Sequence, residues 1–352
     1  MSKPSSSAGP ASPTSKARRK RRWILGALAL FAAFVYLNNT SRLADPLETE
    51  PWLVAHRGVS QPFDREGLTG RTCTAARILP PEHDFLENTL ESMRAAFAFG
   101  ADAVEVDVQR TADGHFAVFH DWNLECRTEG TGATREHTLA ELQALDIGYG
   151  YTADGGQTFP FRGKGVGRMP SLDQILDQVS GAFPDREFVL DIKSNDPEEG
   201  ALLAERLAAL PEDRQGQILV YGGPLPIEKI RERLPRVVTI TRPRLKKCLL
   251  RYIALGWTGH VPQACERGLI TVPANVAPWL WGWPNRFLRR MDSVGSRVVL
   301  IGDYEGGGLS QGFDDPERLL DLPGDYSGGV WTDRIEVMGP AVRGGVYRKM
   351  GE

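Results

Sequence analysis

Between residues 52 and 332 the sequence alternates short apolar segments with longer amphipathic ones, and this rhythm restricts the fold more than any other feature. The segments that read as strands are 52–56, 103–108, 188–193, 217–221, 237–241, 268–272, 297–301 and 329–332. Their short apolar runs and flanking turn residues suit strands buried on both faces. Helices are predicted at 87–99, 198–210, 226–234, 245–256 and 284–294. Shorter ones are expected around 139–145 and from Ser171, a candidate N-cap, to Val179. Eight parallel strands with intervening helices predict an α/β fold, the closed (β/α)8 TIM barrel. An open doubly wound sheet is the alternative, but no G-x-G-x-x-G loop follows any strand.

The second strand is unusually polar for a buried one. In Ala103–Arg127, AVEVDVQRTADGHFAVFHDWNLECR, Val104, Val106 and Val108 fall on one face and Glu105 and Asp107 on the other. Thr111–Gly114 reads as a turn, and Phe116–Phe119 as a return strand ending in His120-Asp121. A β-hairpin after the second strand then places His120 opposite Asp107. Alternating acids also suit an exposed sheet face, so the hairpin alone leaves two readings open. Other strands repeat the pattern at the same end. His56-Arg57 ends the first strand, Asp191 and Lys193 lie on the strand at 188–193, and Thr332-Asp333-Arg334 closes the last. In a barrel these C-terminal ends are where active sites form.

Glu105, Asp107 and Asp191 supply three hard oxygen ligands, a set that suits Mg2+ or Ca2+ and not zinc. His56 and His120 form a candidate acid–base pair, because histidine changes protonation near neutral pH. Such catalysis contributes about 10²–10⁴-fold. Arg57 and Lys193, with the metal, would neutralise an anionic substrate. Two cations, a divalent metal and two histidines point to cleavage of a phosphodiester.

His56-Arg57-Gly58, Glu87-Asn88-Thr89, Glu105-Val-Asp107, His120-Asp121, Asp191-Ile-Lys193 and Trp331-Thr332-Asp333-Arg334 resemble, in order, the motifs of the glycerophosphodiester phosphodiesterase family. The resemblance implies a TIM barrel and metal-dependent hydrolysis of glycerophosphodiesters to sn-glycerol 3-phosphate and an alcohol. It implies that His56 and His120 exchange acid and base roles through a cyclic phosphate. Glu105, Asp107 and Asp191 would hold the metal, and Glu87 and Asn88 would order the site. Asp191 stands where the family usually has Glu, Leu86 where Pro is common, and the segment 59–86 is longer than in minimal members. Lysophospholipase D-like hydrolysis of a lipid phosphodiester at the same site is the alternative activity. A non-catalytic, membrane-anchored barrel scaffold is the reading from another class. Loss of a motif histidine or carboxylate would have favoured it, and all are present.

The N-terminus bears on compartment. Residues 1–15 are rich in Ser, Pro and Ala, and with the basic cluster Lys16–Arg22 they are expected to form a disordered cytoplasmic tail over residues 1–22. Residues 23–40, containing the uncharged run Trp23–Leu37, read as a transmembrane signal anchor, followed by a linker at 41–51 and the barrel domain at 52–352. The apolar run spans only about 22 Å against a hydrocarbon core of roughly 30 Å, so a cleaved signal peptide competes. Its bulky exit, Phe34-Val-Tyr-Leu37, is a poor cleavage site and favours the anchor. The basic cluster predicts a cytoplasmic N-terminus and an exported body.

Residues 1–43 carry eight cations and no acid against a whole-chain charge of −3, which leaves the body at −11. An acidic body is a poor partner for nucleic acid. Cys73, Cys126, Cys248 and Cys265 contain no C-x-x-C pair. An even number in an exported body suggests disulfides, with Cys73–Cys126 and Cys248–Cys265 tying neighbouring loops and buried free thiols as the alternative. Val276–Phe287 holds three tryptophans and is either a packed lid or a lipid-facing surface.

Overall fold

The computed structural model describes residues 15–48, 50–69, 72–306 and 311–344. Its strands are β1 (Trp52–His56), β2 (Ala103–Arg110), β3 (Phe116–Val118), β4 (Glu187–Ile192), β5 (Ile218–Gly222), β6 (Val238–Ile240), β7 (Leu269–Pro273), β8 (Arg297–Ile301) and β9 (Gly329–Thr332). All but β3 are parallel and run in the order β6-β5-β4-β2-β1-β9-β8-β7. The ring is nearly closed, and Thr239 N donates to Arg267 O at 3.1 Å across the gap between β6 and β7. This is the predicted (β/α)8 barrel, with strand ends shifted by at most two residues.

Register is what gives the barrel a site. His56 lies beside Glu105; two residues further along, Asp107 lies beside Asp191, and Asp191 beside Tyr221. Side chains alternate along a strand, so Glu105 and Asp107 share one face while Val104, Val106 and Val108 take the other. Both faces of β2 are buried. The polar face of the sequence therefore points into the barrel and not to solvent.

The hairpin forms with a different register from the expected one. Arg110 pairs with Phe116, Val108 with Val118, and Phe119 N donates to Asp107 O at 3.0 Å. His115 pairs opposite Thr111, whose N donates to its carbonyl at 2.9 Å, so the loop is closed one residue tighter than expected. Phe119 thus takes the place opposite Asp107, and His120 lies one residue beyond the pairing.

The principal helices are α1 (Ser15–Asn39), α2 (Leu90–Ala98), α3 (Leu139–Gln143), α4 (Pro197–Ala208), α5 (Pro224–Arg233), α6 (Arg242–Leu255), α7 (Asn285–Asp292) and α8 (Ile335–Arg343). Helix α1 begins at Ser15, so Lys16–Arg22 is helical and does not form the expected disordered tail; residues 1–14 lie outside the described residues. Helix α2 is shorter than predicted because Thr89 caps it. Thr89 Oγ1 accepts from Ser92 N at 3.1 Å, and Ser92 Oγ accepts from Thr89 N at 3.2 Å. The cap keeps Glu87 and Asn88 out of the helix and free to serve the barrel mouth.

The long segment 59–86 is not a loose lid. Ile78 and Leu86 pack with Leu124, Leu142, Tyr151 and Phe161 in a second core, separate from the barrel's. Disulfides join Cys73 to Cys126 within this layer and Cys248 to Cys265 between α6 and the approach to β7.

Helices α4 and α5 meet most closely at Gly200, where a Cβ would lie 2.4 Å from Pro226 Cα and O. Gly200→Ala is expected to lower the unfolding free energy by about 1–3 kcal/mol through overpacking. Urea denaturation of the two chains checks this; equal midpoints would show that the helices can part at no cost.

Candidate active site

The chain leaves β1 through Arg57 at φ 61° and Gly58 at φ 77°. The left-handed conformation costs an L residue about 1–2 kcal/mol, so the corner needs support. Arg57 N donates to Glu105 Oε2 at 3.2 Å, and Asn88 N donates to Arg57 O at 2.9 Å. Only glycine fits at 58, since a Cβ there would lie 2.6 Å from Ser92 Oγ. This corner turns Arg57 back over the strand ends, with Nη1 2.9 Å from Glu87 Oε1 and Nε 3.2 Å from Asp107 Oδ2.

Asn88, also left-handed at φ 59°, brackets Asp107. Its Nδ2 donates to Asp107 Oδ2 at 2.8 Å and its Oδ1 accepts from Asp107 N at 3.2 Å. Lys193 Nζ lies between Asp107 Oδ1, at 3.2 Å, and Asp191 Oδ2, at 2.9 Å. Tyr221 Oη donates to Glu105 Oε1 at 2.8 Å. Glu105, Asp107 and Asp191 each offer an oxygen within 4.8 Å of the others'. Asp107 Oδ1 is buried and accepts no hydrogen bond, its contact being the ion pair with Lys193. Three hard oxygens, one of them spare, fit a divalent cation.

Each histidine is held by an aspartate. His56 Nδ1 bonds to Asp333 Oδ1, and its Nε2 lies 3.7 Å from Glu105 Oε2. Asp333 Oδ2 is in turn 3.0 Å from Arg65 Nη1 and accepts from Gly312 N at 3.2 Å. His120 Nδ1 bonds to Asp121 Oδ1 at 2.7 Å. Asp121 also pairs with Arg127, which is 3% exposed and donates to Glu87 Oε1 at 3.1 Å, Thr74 Oγ1 at 2.8 Å and Tyr151 Oη at 3.1 Å. With Nδ1 engaged, Nε2 is the nitrogen left for proton transfer.

The charges shape these groups unequally. Burial and Arg57 favour neutral His56, but Asp333 and Glu105 outweigh them and raise its pKa. At His120 burial and Arg57 prevail and lower it. Burial, with Asp107 alongside, pushes Glu105 up to about 8. Burial opposes ionisation of Asp107 too, yet Lys193 and Arg57 hold it well below the usual carboxylate range.

All nine candidate residues (His56, Arg57, Glu87, Asn88, Glu105, Asp107, His120, Asp191 and Lys193) are brought to the same end of the barrel. Sequence reasoning had not singled out Asp121, Arg127, Tyr221, Arg65 or Asp314. Asp121 stood beside His120 inside a motif, and Tyr221 at a predicted strand end. Arg65 and Arg127 carried no signal, because their positions depend on how the second core packs.

Fold and site define a TIM-barrel protein with an acidic, histidine-flanked centre at the C-terminal strand ends. Residues 56–208 match the glycerophosphoryl diester phosphodiesterase family. The chain is 33% identical to the glycerophosphodiester phosphodiesterase of Caldanaerobacter subterraneus subsp. tengcongensis over 30% of its own length and 39% of that protein's. For the Bacillus subtilis enzyme of the same name the figures are 32%, 35% and 40%. The matches thus span about two-fifths of the length of these relatives. Among solved structures, the glycerophosphodiester phosphodiesterase of Agrobacterium tumefaciens superposes with a TM-score of 0.53 at 20% identity, covering 82% of this chain and 99% of that one. A phosphodiesterase of Oleispira antarctica in complex with the product sn-glycerol-3-phosphate gives 0.52 at 19%, covering 84% and 97%. Residues 56–208 are thus similar to that family, and the structural neighbours share the barrel fold.

Behind His56 lies a second carboxylate pair. Asp314 Oδ1 accepts from Asp333 N at 2.6 Å and from Thr332 Oγ1 at 2.8 Å. Burial, and Asp333 close by, push Asp314 up to about 6. Its folded pKa exceeds the unfolded value of about 3.9, so its contribution is complete below about pH 4 and is lost as pH rises through 6. Relative to Asp314→Asn, the parent chain is expected to lose about 2 kcal/mol of stability between pH 4 and 7. Urea midpoints across that range read the difference. Parallel curves would show that the Asp314 carboxyl titrates normally.

Proposed function

We propose that this chain is a metal-dependent phosphodiesterase that hydrolyses glycerophosphodiesters to sn-glycerol 3-phosphate and an alcohol. The observation that carries the reading is the convergence of three carboxylate oxygens with two histidines, each oriented by its own aspartate. The family match over residues 56–208 and the fold shared with the product-bound Oleispira antarctica phosphodiesterase support it.

Glu105, Asp107 and Asp191 would hold the metal, Ca2+ or Mg2+. A divalent cation there supplies neutralisation of the phosphate and of the charge that develops on its oxygens. Arg57 and Lys193 add fixed positive charge at the same end and bind the phosphate. One histidine accepts the proton of the glycerol 2-hydroxyl as that oxygen attacks phosphorus. The other donates a proton to the leaving alcohol oxygen as its bond to phosphorus breaks. The resulting cyclic phosphate is opened by water with the roles reversed. One histidine takes the water proton, the other returns a proton to the 2-oxygen, and both end as they began. Asp333 and Asp121 keep each ring in register throughout, and Glu87 and Asn88 hold Arg57 and Asp107.

The reading extends to the N-terminus. Arg18–Asn39 is long and apolar enough to cross a membrane, and its apolar window is unburied in the structure. Trp23, Leu30 and Phe34 face solvent as they would face lipid. Such a helix acts as an uncleaved anchor, with Lys16–Arg22 cytoplasmic and the disulfide-bearing barrel exported. The exposed Trp279 keeps lysophospholipase D-like action on a lipid as the second reading.

The test is turnover of glycerophosphocholine and lysophosphatidylcholine by the full chain, with and without EDTA. Activity is expected on the first substrate and abolished by chelation; chelator-resistant turnover would overturn the metal assignment. His56→Ala and His120→Ala are each expected to lose at least about 10²-fold in turnover, with unchanged melting curves. Near-normal turnover in either variant would remove that residue from proton transfer.

A further inference from the structure

The anchor helix does not end in a free linker. Asn38 and Asn39 donate through Nδ2 to Trp257 O at 3.0 and 2.8 Å, and Arg290 Nη2 donates to Asn38 O at 2.8 Å. Asn285 N donates to Ser41 Oγ at 2.8 Å. The Phe31 ring meets the Trp257 ring edge-on, centroids 5.6 Å apart. Phe31 lies inside the apolar run, eight residues before the end of α1. At 1.5 Å per residue that is about 12 Å down the helix. The Trp257 carbonyl thus sits level with the end of α1, while its ring reaches down the helix to Phe31 inside the apolar run.

Trp257 directly follows the C-terminal end of α6, whose outer face is unlike the rest of the acidic body. Leu250, Ile253 and Leu255 are exposed there, and Lys246, Lys247 and Arg251 flank them. No acid occurs from Arg242 to Cys265. Trp281 Nε1 donates to Ile253 O at 2.8 Å, bringing the tryptophan loop to the same end, and Trp279 on that loop is 80% exposed. An apolar patch with an aromatic tip and a basic border has the chemistry of the lipid–water interface.

We propose that the C-terminal half of α6, the Trp257 backbone and Trp279 lie in the head-group region of the anionic leaflet that α1 enters, with the Trp257 ring reaching below it along α1, fixing the barrel rigidly against the bilayer. This rests on the anchor reading above. It also sets orientation. Helix α6 starts just after the C-terminal end of β6, at the catalytic side, and runs back for 14 residues, about 20 Å. Trp279 comes from the loop after β7, at the catalytic side, so the surface runs along the β6–β7 wall and the barrel lies side-on to the leaflet, with the β2 hairpin and Trp122 on the opposite wall.

The test places single additional cysteines in the full chain at Leu30, Leu250, Trp279 and Trp122, the last beside the catalytic Asp121. Each is labelled with an environment-sensitive fluorophore and reconstituted in phosphatidylcholine–phosphatidylglycerol vesicles containing lipids with nitroxide quenchers at both a shallow and a deep acyl position. Quenching at 30, 250 and 279 is expected to exceed that at 122 by at least about twofold. Lys246→Glu with Lys247→Glu and Arg251→Glu, or omission of phosphatidylglycerol, should lower it at 250 and 279 but not at 30. Quenching at 30 with none at 250 and 279 overturns the docking surface and leaves the anchor standing. No quenching at 30 overturns the anchor and this proposal together. Strong quenching at 122 overturns the orientation, and lipid-independent quenching at 250 overturns the preference for an anionic leaflet.

Discussion

Parallel register forces three carboxylates together inside a barrel, and most of the site exists to make that tolerable. Asp191, Asp107, Glu87 and Asp121 are connected through Lys193, Arg57 and Arg127, each cation shared between two acids. His120 terminates this alternating chain. Removing one member of a buried pair leaves an uncompensated charge, typically at about 3–5 kcal/mol. The network therefore ties the integrity of the barrel mouth to the orientation of one histidine and of Arg57 and Lys193. Two residues in left-handed conformation, Arg57 and Asn88, persist because the same network holds them.

Half of that network comes from outside the barrel. Arg127 follows the disulfide-bonded Cys126 and reaches Thr74 and Tyr151 in the second core as well as Glu87 and Asp121 at the mouth. The extended segment 59–86 is thus part of the catalytic support. It contributes Arg65 to Asp333, just as the hairpin's downstream loop contributes Arg127 to Asp121. Both histidines are oriented by an aspartate that is itself held by an arginine from the added layer.

Strands were legible in the sequence because short apolar runs bounded by turn residues recur between amphipathic segments, and on β2 a two-residue alternation set the acids apart from the valines. Glu105 and Asp107 could be placed on one face without knowing their neighbours. What alternation cannot give is register: His115 pairs opposite Thr111 and tightens the loop by one residue, which put Phe119 where His120 was expected. Helix starts were similarly blurred, since the pattern of α2 runs on past the Thr89 cap that stops it. Arg65 and Arg127 were invisible for a different reason. Each is one of many arginines in a loop, and only the packing of the second core aims it at an aspartate.

The direction of the barrel helices bears on substrate class independently of any motif. Every helix after a strand carries the chain away from the strands' C-terminal ends, whereas the loop that bears Trp279 starts beside them. Under the proposed side-on docking, a lysophospholipid would have to leave the bilayer before its phosphate reached His56 and His120. Burial of each methylene is worth about 0.8 kcal/mol, so extracting a 16-carbon chain costs on the order of 12 kcal/mol unless an apolar channel receives it. Among the described residues Arg57, Glu105, Asp107, Asp191, Lys193 and the two histidines converge at the strand ends, with Trp331 and Tyr221 the aromatic surface beside His56. A glycerophosphodiester without acyl chains meets no such barrier.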